Sequence, residues 1–415
     1  VPTGVVTAAV GISAHLLGTT LATRWLRRKR PEQERTAQLS TYQPGVSILK
    51  PLCGVDENLE HNLESFARLT YPRYELILGA SDASDPALTV ARRVAARHPE
   101  VDISIVVCEP DPTCNPKVVN LEAMYARSQY ELCMISDSNV LARPDELEHL
   151  APEMEDPQVG LVYQPVIGVG EKSATAAIEN FKLTEQGGYW MIYTKALTGI
   201  DAVMGKGMLL RREALDGIGG FNIVRRVAAE DYVLGIALKG AGWKLVMSML
   251  PAQAVHTRWS LSGFMNRTFR HAAMRVRLSP LTYPMEILAN PFFLTLLGCL
   301  TLGIHWLPMT LLSLFVKTSL ELAMSVQLRG RWPHWYYLPL LPVKDILVGL
   351  IWLPAIFGRT VTWRGNTLRL GWGTRLTGLD FEPSTADEPL EPSHAPLPLE
   401  TPHRRRATAS SGRKD

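Results

Sequence analysis

Asp137, Ser138 and Asn139 close a short apolar run, Glu131-Leu132-Cys133-Met134-Ile135. A carboxylate at a strand end can hold a metal ion, and the metal can hold a diphosphate. Asp137 offers one charged oxygen and Asn139 a neutral one. That donor pair suits Mg²⁺ or Mn²⁺ carried in largely by a nucleotide's own phosphates. Ala229-Glu230-Asp231-Tyr232 follows further along the chain, where a second carboxylate, Asp231, can take a proton from an acceptor hydroxyl. Acidic residues also open helices simply as caps, and that is the competing reading of Glu230 and Asp231. The basic stretch Arg267-Thr268-Phe269-Arg270-His271 comes next. Arg267 and Arg270 share a helix face and can reach a diphosphate leaving group, with Arg270 the favoured ligand. Arg275 and Arg277 then fall at a membrane surface.

No glycine-rich phosphate loop competes with this reading. Gly168-Val169-Gly170 and Gly217-Ile218-Gly219-Gly220 lack the strand, turn and helix spacing of a dinucleotide fingerprint, and Gly205-Lys206-Gly207 has no Walker motif around it. A formal charge of +3 over 415 residues gives no argument for nucleic acid. The five cysteines are scattered, which indicates neither a zinc site nor a disulfide framework.

The elements that must position these residues alternate. Val46-Ser47-Ile48-Leu49-Lys50-Pro51, Tyr74-Glu75-Leu76-Ile77-Leu78-Gly79, residues 101–107 and residues 131–135 read as strands. Residues 58–69, 86–97 and 115–128 have helical spacing. This predicts an α/β fold with a mainly parallel sheet and ligands at the carboxyl ends of its strands. Asp82 and Asp85, Glu109 and Asp111, and Asp137 and Asn139 gather at three such ends. Met208-Leu209-Leu210 reads as a further short strand, and residues 232–239 as a helix.

Apolar segments flank this middle. Residues 5–21 are almost wholly apolar, and Arg24, Arg27, Arg28, Lys29 and Arg30 follow at once. This predicts a retained transmembrane anchor over 1–30 whose C-terminal end is cytoplasmic. A polar linker is expected over 31–45 and a cytoplasmic catalytic domain over 46–280. Residues 287–304 and 307–320 predict a transmembrane hairpin within 281–326. Residues 338–357 carry Pro339, Pro342, Pro354, Lys344 and Asp345. Within 327–376 they read as an interfacial or re-entrant element, with a third full span as the alternative. The stretch 377–415 is rich in Pro, Ser, Thr, Glu and Arg and reads as a disordered tail.

In this order the motifs resemble those of the membrane-bound, family-2-type glycosyltransferases with a nucleotide-diphospho-sugar (GT-A type) domain. Within that group the chain is most similar to the ceramide glucosyltransferases and their bacterial relatives. The resemblance runs through Val46 to Gly54, Ser81-Asp82-Ala83-Ser84-Asp85-Pro86, Asn115-Pro116-Lys117-Val118-Val119-Asn120-Leu121, Asp137 and Ala229-Glu230-Asp231-Tyr232. It implies that Asp82 binds uridine, Lys117 lies near the diphosphate, Asp137 holds the metal and Asp231 is the base. The final family motif ends Arg-Trp. Here both arginines are present, Arg267 and Arg270, and His271 replaces the tryptophan. With Glu230, His271 falls in the expected acceptor region.

The implied activity is inverting transfer of glucose from UDP-glucose to the hydroxyl of ceramide, at the surface of a bacterial inner membrane. The nearest alternative keeps the chemistry and changes both partners: UDP-N-acetylglucosamine or UDP-galactose as donor, with a hopanoid polyol or another lipid as acceptor. A processive polysaccharide synthase would need more membrane helices than this chain has.

Overall fold

The computed structural model describes residues 2–377, apart from 112, 364 and 365. Of the expected tail only Thr377 falls among the described residues.

The main sheet is built around β1 (Val46–Pro51), β2 (Tyr74–Ala80), β3 (Asp102–Val107) and β4 (Leu132–Ile135), all parallel. β1 and β4 are buried along nearly their whole length, so both read as continuous apolar runs. Val46 of β1 pairs with Tyr74 on one side and Leu132 on the other, which brings the carboxyl ends of the three strands together. Beyond β4 the sheet turns mixed. With β5 (Val140–Leu141), β6 (Val159–Tyr163), β7 (Val166–Val169), β8 (Met208–Arg211), β9 (Lys244–Met247) and β10 (Ala252–Val255) included, the main order is β3-β2-β1-β4-β8-β6-β9. β8 lies antiparallel to both β4 and β6, so its start, not its end, faces the ligand edge. The other three strands form a small second sheet, β5-β10-β7.

Helix α1 (Pro2–Leu39) is continuous through most of what composition reads as linker. Its polar end is fastened to the α/β body: Gln33 donates to the Met247 carbonyl at 3.0 Å and accepts from the Met249 amide at 2.6 Å. Helices α2 (Leu59–Ala67), α3 (Ala87–Arg97) and α4 (Pro116–Arg127) are the expected crossovers, each burying one apolar face. Short helices α5 (Glu146–Leu150) and α8 (Arg212–Gly217) are smaller parts of this body, and α9 (Glu230–Gly240) falls where the helical pattern predicts. The sequence pattern gave no warning of α6 (Ala174–Leu183) and α7 (Trp190–Thr198), joined through a π-helical turn at Thr184–Tyr189.

After α10 (Leu261–Leu278) comes the C-terminal apolar part: α11 (Pro291–Leu302), α12 (Leu307–Arg329) and α13 (Leu340–Phe357). Among the described residues, Gly4–Leu39, Ile304–Arg329 and Trp335–Phe357 are long and apolar enough to cross a membrane. The first arm of the expected hairpin is not straight: Tyr283–Ala289 meets α11 at 83°. Asn290 and Pro291 explain the break. Asn290 caps the Phe293 amide at 3.2 Å, and Pro291 occupies the first helical turn, where its missing N–H costs nothing. Within the segment 338–357, residues Leu340–Phe357 form one continuous helix, α13, in spite of Pro354. Strands β11 (Thr360–Trp363), β12 (Asn366–Leu370) and β13 (Leu376–Thr377) end the described chain as an antiparallel sheet.

Candidate active site

Asp137 leaves the end of β4 with its side chain 28% exposed, and cations from three parts of the chain converge on it. Lys117 Nζ stands 2.9 Å from Oδ1 and Lys206 Nζ 3.0 Å from Oδ2. Lys50, at the end of β1, donates to the Asp137 carbonyl at 2.9 Å. Burial alone would raise the Asp137 carboxyl. The charges of Lys117 and Lys206 override it and hold the group well below the usual carboxylate range. Lys117 is placed by local sequence: Asn115 caps α4 by accepting from the Lys117 amide at 2.9 Å, and Pro116 begins the helix.

The second pair of carboxylates reaches the same lysine. Lys117 Nζ lies 2.8 Å from Glu230 Oε1, while burial raises the Glu230 carboxyl. Asp231, one residue into α9, accepts from the Tyr232 amide at 2.8 Å and from the Gly205 amide at 2.6 Å. The helix-start reading is therefore partly realised, but the Gly205 contact ties the carboxylate across to the Lys206 turn. Two backbone donors fix Asp231 and leave lone pairs for an incoming hydroxyl. A Cβ at position 205 would lie 2.7 Å from Lys117 Nζ, so a side chain there would shift that ammonium.

Asn139 is held from the opposite side. Its Oδ1 accepts from Lys206 at 2.8 Å, so its Nδ2 is left to donate to His256 Nε2 at 3.2 Å. His256 Nδ1 in turn faces Asn180 Oδ1 at 3.0 Å. This network assigns the neutral tautomer with hydrogen on Nδ1 and a lone pair on Nε2. Burial, then the charges of Arg267, Lys206 and Lys182, push His256 well below its ordinary range, as that tautomer requires. Arg267 shares the same lone pair at 3.2 Å, and its Nε lies 3.2 Å from the buried Glu179.

Asp137, Glu230, Asp231, Lys117 and Arg267 thus meet around one space, together with Lys50, Lys206, Asn139, His256 and Asn180. Asp82 stands apart on the exposed loop after β2, accepting from the Ser84 amide and hydroxyl at 2.7 Å each. It is Asp85 that ties this loop to the end of β1, through the Gly54 amide at 2.9 Å. Arg270 and His271 lie on α10 beyond Arg267. Burial, then Arg267, Lys182, Arg270 and Arg275, push the His271 imidazole well below its usual range, so it is neutral at physiological pH. The expected membrane contact of Arg277 is not found. Arg277 is buried and donates to the Leu370 carbonyl at 3.0 Å, while Arg275 pairs with Glu286 at 2.9 Å.

The sequence profile of glycosyl transferase family 21 matches residues 5–376. The chain belongs to this family. It is 27% identical over 343 residues to ceramide glucosyltransferase 3 of Caenorhabditis elegans, covering 80% of this chain and 74% of the relative. Ceramide glucosyltransferase 1 of the same worm is 28% identical over 348 residues, covering 80% and 73%. A ceramide glucosyltransferase of the yeast Komagataella phaffii is 28% identical over 206 residues, covering 44% and 40%. These relatives are eukaryotic and do not carry the expected bacterial assignment. Among solved structures, the mannosyltransferase of Pyrobaculum calidifontis in complex with GDP-mannose and Mn²⁺ superposes with a TM-score of 0.46 at 17% identity, covering 85% of this chain and 99% of that one. The family 21 chain has an α/β, GT-A-like architecture with long apolar helices at both ends.

A second charged cluster of the family 21 chain lies among those helices. Carboxylate oxygens of Glu185, Glu321 and Asp345 fall within 4.8 Å of one another, a spacing that could hold a divalent cation. Lys317 reaches all three, at 3.1, 3.1 and 2.6 Å, and Lys344 pairs with Glu185 and Glu321. A cation there would have to displace the ammonium groups of Lys317 and Lys344, just as one at Asp137 would have to displace a lysine. Asp137 and Asn139 meet the same hard-oxygen requirement at the strand end where a nucleotide diphosphate binds in such folds.

Proposed function

We propose that this family 21 chain transfers a sugar from a UDP-sugar to the hydroxyl of a membrane lipid, with UDP-glucose and ceramide as the leading pair. The observation that carries this reading is the convergence of Asp137, Lys117 and Asp231 on one strand-end space in a chain flanked by membrane-length apolar helices. The ceramide glucosyltransferases among its relatives support the acceptor class.

Asp137 and Asn139 would hold Mg²⁺ or Mn²⁺, which when bound would offset diphosphate charge. Asp82 binds the uridine side of the donor. Lys117, already fixed between Asp137 and Glu230, meets the diphosphate, and Arg267 and Arg270 add charge as UDP leaves. Asp231 takes the proton of the lipid hydroxyl as its oxygen attacks the anomeric carbon. Direct displacement inverts that carbon and gives a β-glycoside. The catalytic body and the C-terminal end of α1 face the cytoplasm, by the arginine and lysine run at 24–30.

A second reading rests on His271. A small neutral ring in place of an indole leaves room for a bulkier or more polar acceptor head, such as a hopanoid polyol, with UDP-N-acetylglucosamine or UDP-galactose as donor. Purified full-length protein in lipid nanodiscs, offered each donor with each acceptor, distinguishes them by mass spectrometry of the lipid. A hexosylceramide supports the first reading and a glycosylated polyol the second. Turnover only with a water-soluble acceptor rejects both.

A further inference from the structure

Both oxygens of Asp137 are occupied by ammonium groups, and the two lysines are not equivalent. Lys117 stands between two carboxylates, Asp137 and Glu230, which fix it from both sides. Lys206 has one carboxylate partner and one neutral partner, the Asn139 amide oxygen at 2.8 Å. It is the more easily released cation. It also stands on a turn between two glycines, Gly205 and Gly207, outside any helix or strand. Its ammonium bridges Asp137 Oδ2 and Asn139 Oδ1, the two hard oxygens that a divalent cation would use.

We infer that Lys206 is an exchangeable counter-ion: it fills the divalent-cation seat while no donor is present, and it moves onto the diphosphate when the metal–nucleotide arrives. This inference rests on the proposed role of Asp137 as metal ligand. Without Lys206, Asp137 Oδ2 and Asn139 Oδ1 would face each other with no ammonium between them, a costly arrangement in a largely buried site, and Lys206 removes that cost between turnovers. Filling of the seat by the metal frees one positive charge beside the position where the diphosphate must lie. Metal and nucleotide therefore bind cooperatively, each favouring the state with Lys206 displaced.

The test titrates Mn²⁺ into the full-length protein, following free Mn²⁺ by electron paramagnetic resonance, with and without UDP. Wild type should bind Mn²⁺ at least about 10-fold more tightly when UDP is present. Lys206→Met keeps the length of the side chain and removes its charge. It should bind Mn²⁺ without UDP at least about 10-fold more tightly than wild type, and the mutual enhancement of Mn²⁺ and UDP should shrink. Equal nucleotide-free Mn²⁺ affinity in the two proteins overturns the inference. So does a wild type that binds Mn²⁺ as tightly alone as with UDP, a result that needs no folded variant. Asp137→Asn separates the underlying reading: if it keeps wild-type Mn²⁺-dependent UDP affinity, Asp137 is not the ligand. If it loses that affinity while Lys206→Met matches wild type, only the role of Lys206 falls.

Discussion

His256 connects the site to its surroundings through one proton position. With hydrogen on Nδ1, its Nε2 lone pair accepts from Asn139 and Arg267 together, so one ring orients a neutral oxygen donor and a cation. An amide suits position 139, because a carboxylate there would set an oxygen against that lone pair. His256→Phe keeps a ring and removes the acceptor. UDP affinity in the presence of Mn²⁺ should fall by about 10-fold, the worth of one lost charge-assisted hydrogen bond. His256→Gln, which keeps an acceptor, should lose less. Isothermal titration measures both, and equal affinity in all three proteins would remove His256 from the site. None of this was legible in the sequence. Asp137, Lys117 and Asp231 stand in recognisable local patterns, whereas His256, Asn180 and Lys206 stand in none. His256 and Lys206 reach the site through strand pairing across long separations, β10 with β5 and β7, and β8 with β4, and Asn180 reaches it from α6.

At the scale of elements, α13 carries the clearest consequence. Its length would let it cross a membrane, yet both ends pack on the α/β body. Tyr337 and Leu341 meet Ala177 and Phe181 of α6, while Ile351 and Ala355 pack with Ala272 and Val276 of α10. The chain beyond it then returns to the loop before Glu230: Leu376 donates to the Arg226 carbonyl at 2.7 Å, and Ala228 to the Thr374 carbonyl at 2.9 Å. Lys344 and Asp345, costly at mid-bilayer, are answered by Lys317, Glu185 and Glu321. We therefore propose that α13 lies in the interface with both ends on the catalytic side. Cysteines placed at Trp335 and Phe357, 79% and 76% exposed, test this with a membrane-impermeant maleimide on sealed vesicles. Both should react from the catalytic face, and labelling from opposite faces would make α13 a span. The strand and helix order from residue 46 to 135 was readable because short β-rich runs alternate with helices that each bury one apolar face. α6 was not, because Glu179 and Lys182 are buried in ion pairs and interrupt any apolar period, as Glu185 does in the π-helical turn that follows.

At the scale of the whole molecule, the basic helix α10 joins the site to the membrane part. Arg267 reaches His256, and ten residues on Arg277 anchors β12 through Leu370. α12 is tied in as well: Arg329 pairs with Glu171 at 2.7 Å, and Glu171 accepts from Asn180, the partner of His256. The polar contacts around Asn139 thus continue without a gap to the end of a membrane-length helix. The most direct measurement is the rate of glycosylated lipid formation by wild type and Asp231→Asn in ceramide-containing nanodiscs with UDP-glucose, followed by mass spectrometry, with UDP affinity measured alongside. Asp231→Asn should bind UDP like wild type and form hexosylceramide about 10²-fold more slowly or worse, the loss expected when a general base is removed. Equal rates of lipid product from the two proteins would contradict the assignment of Asp231 as the base.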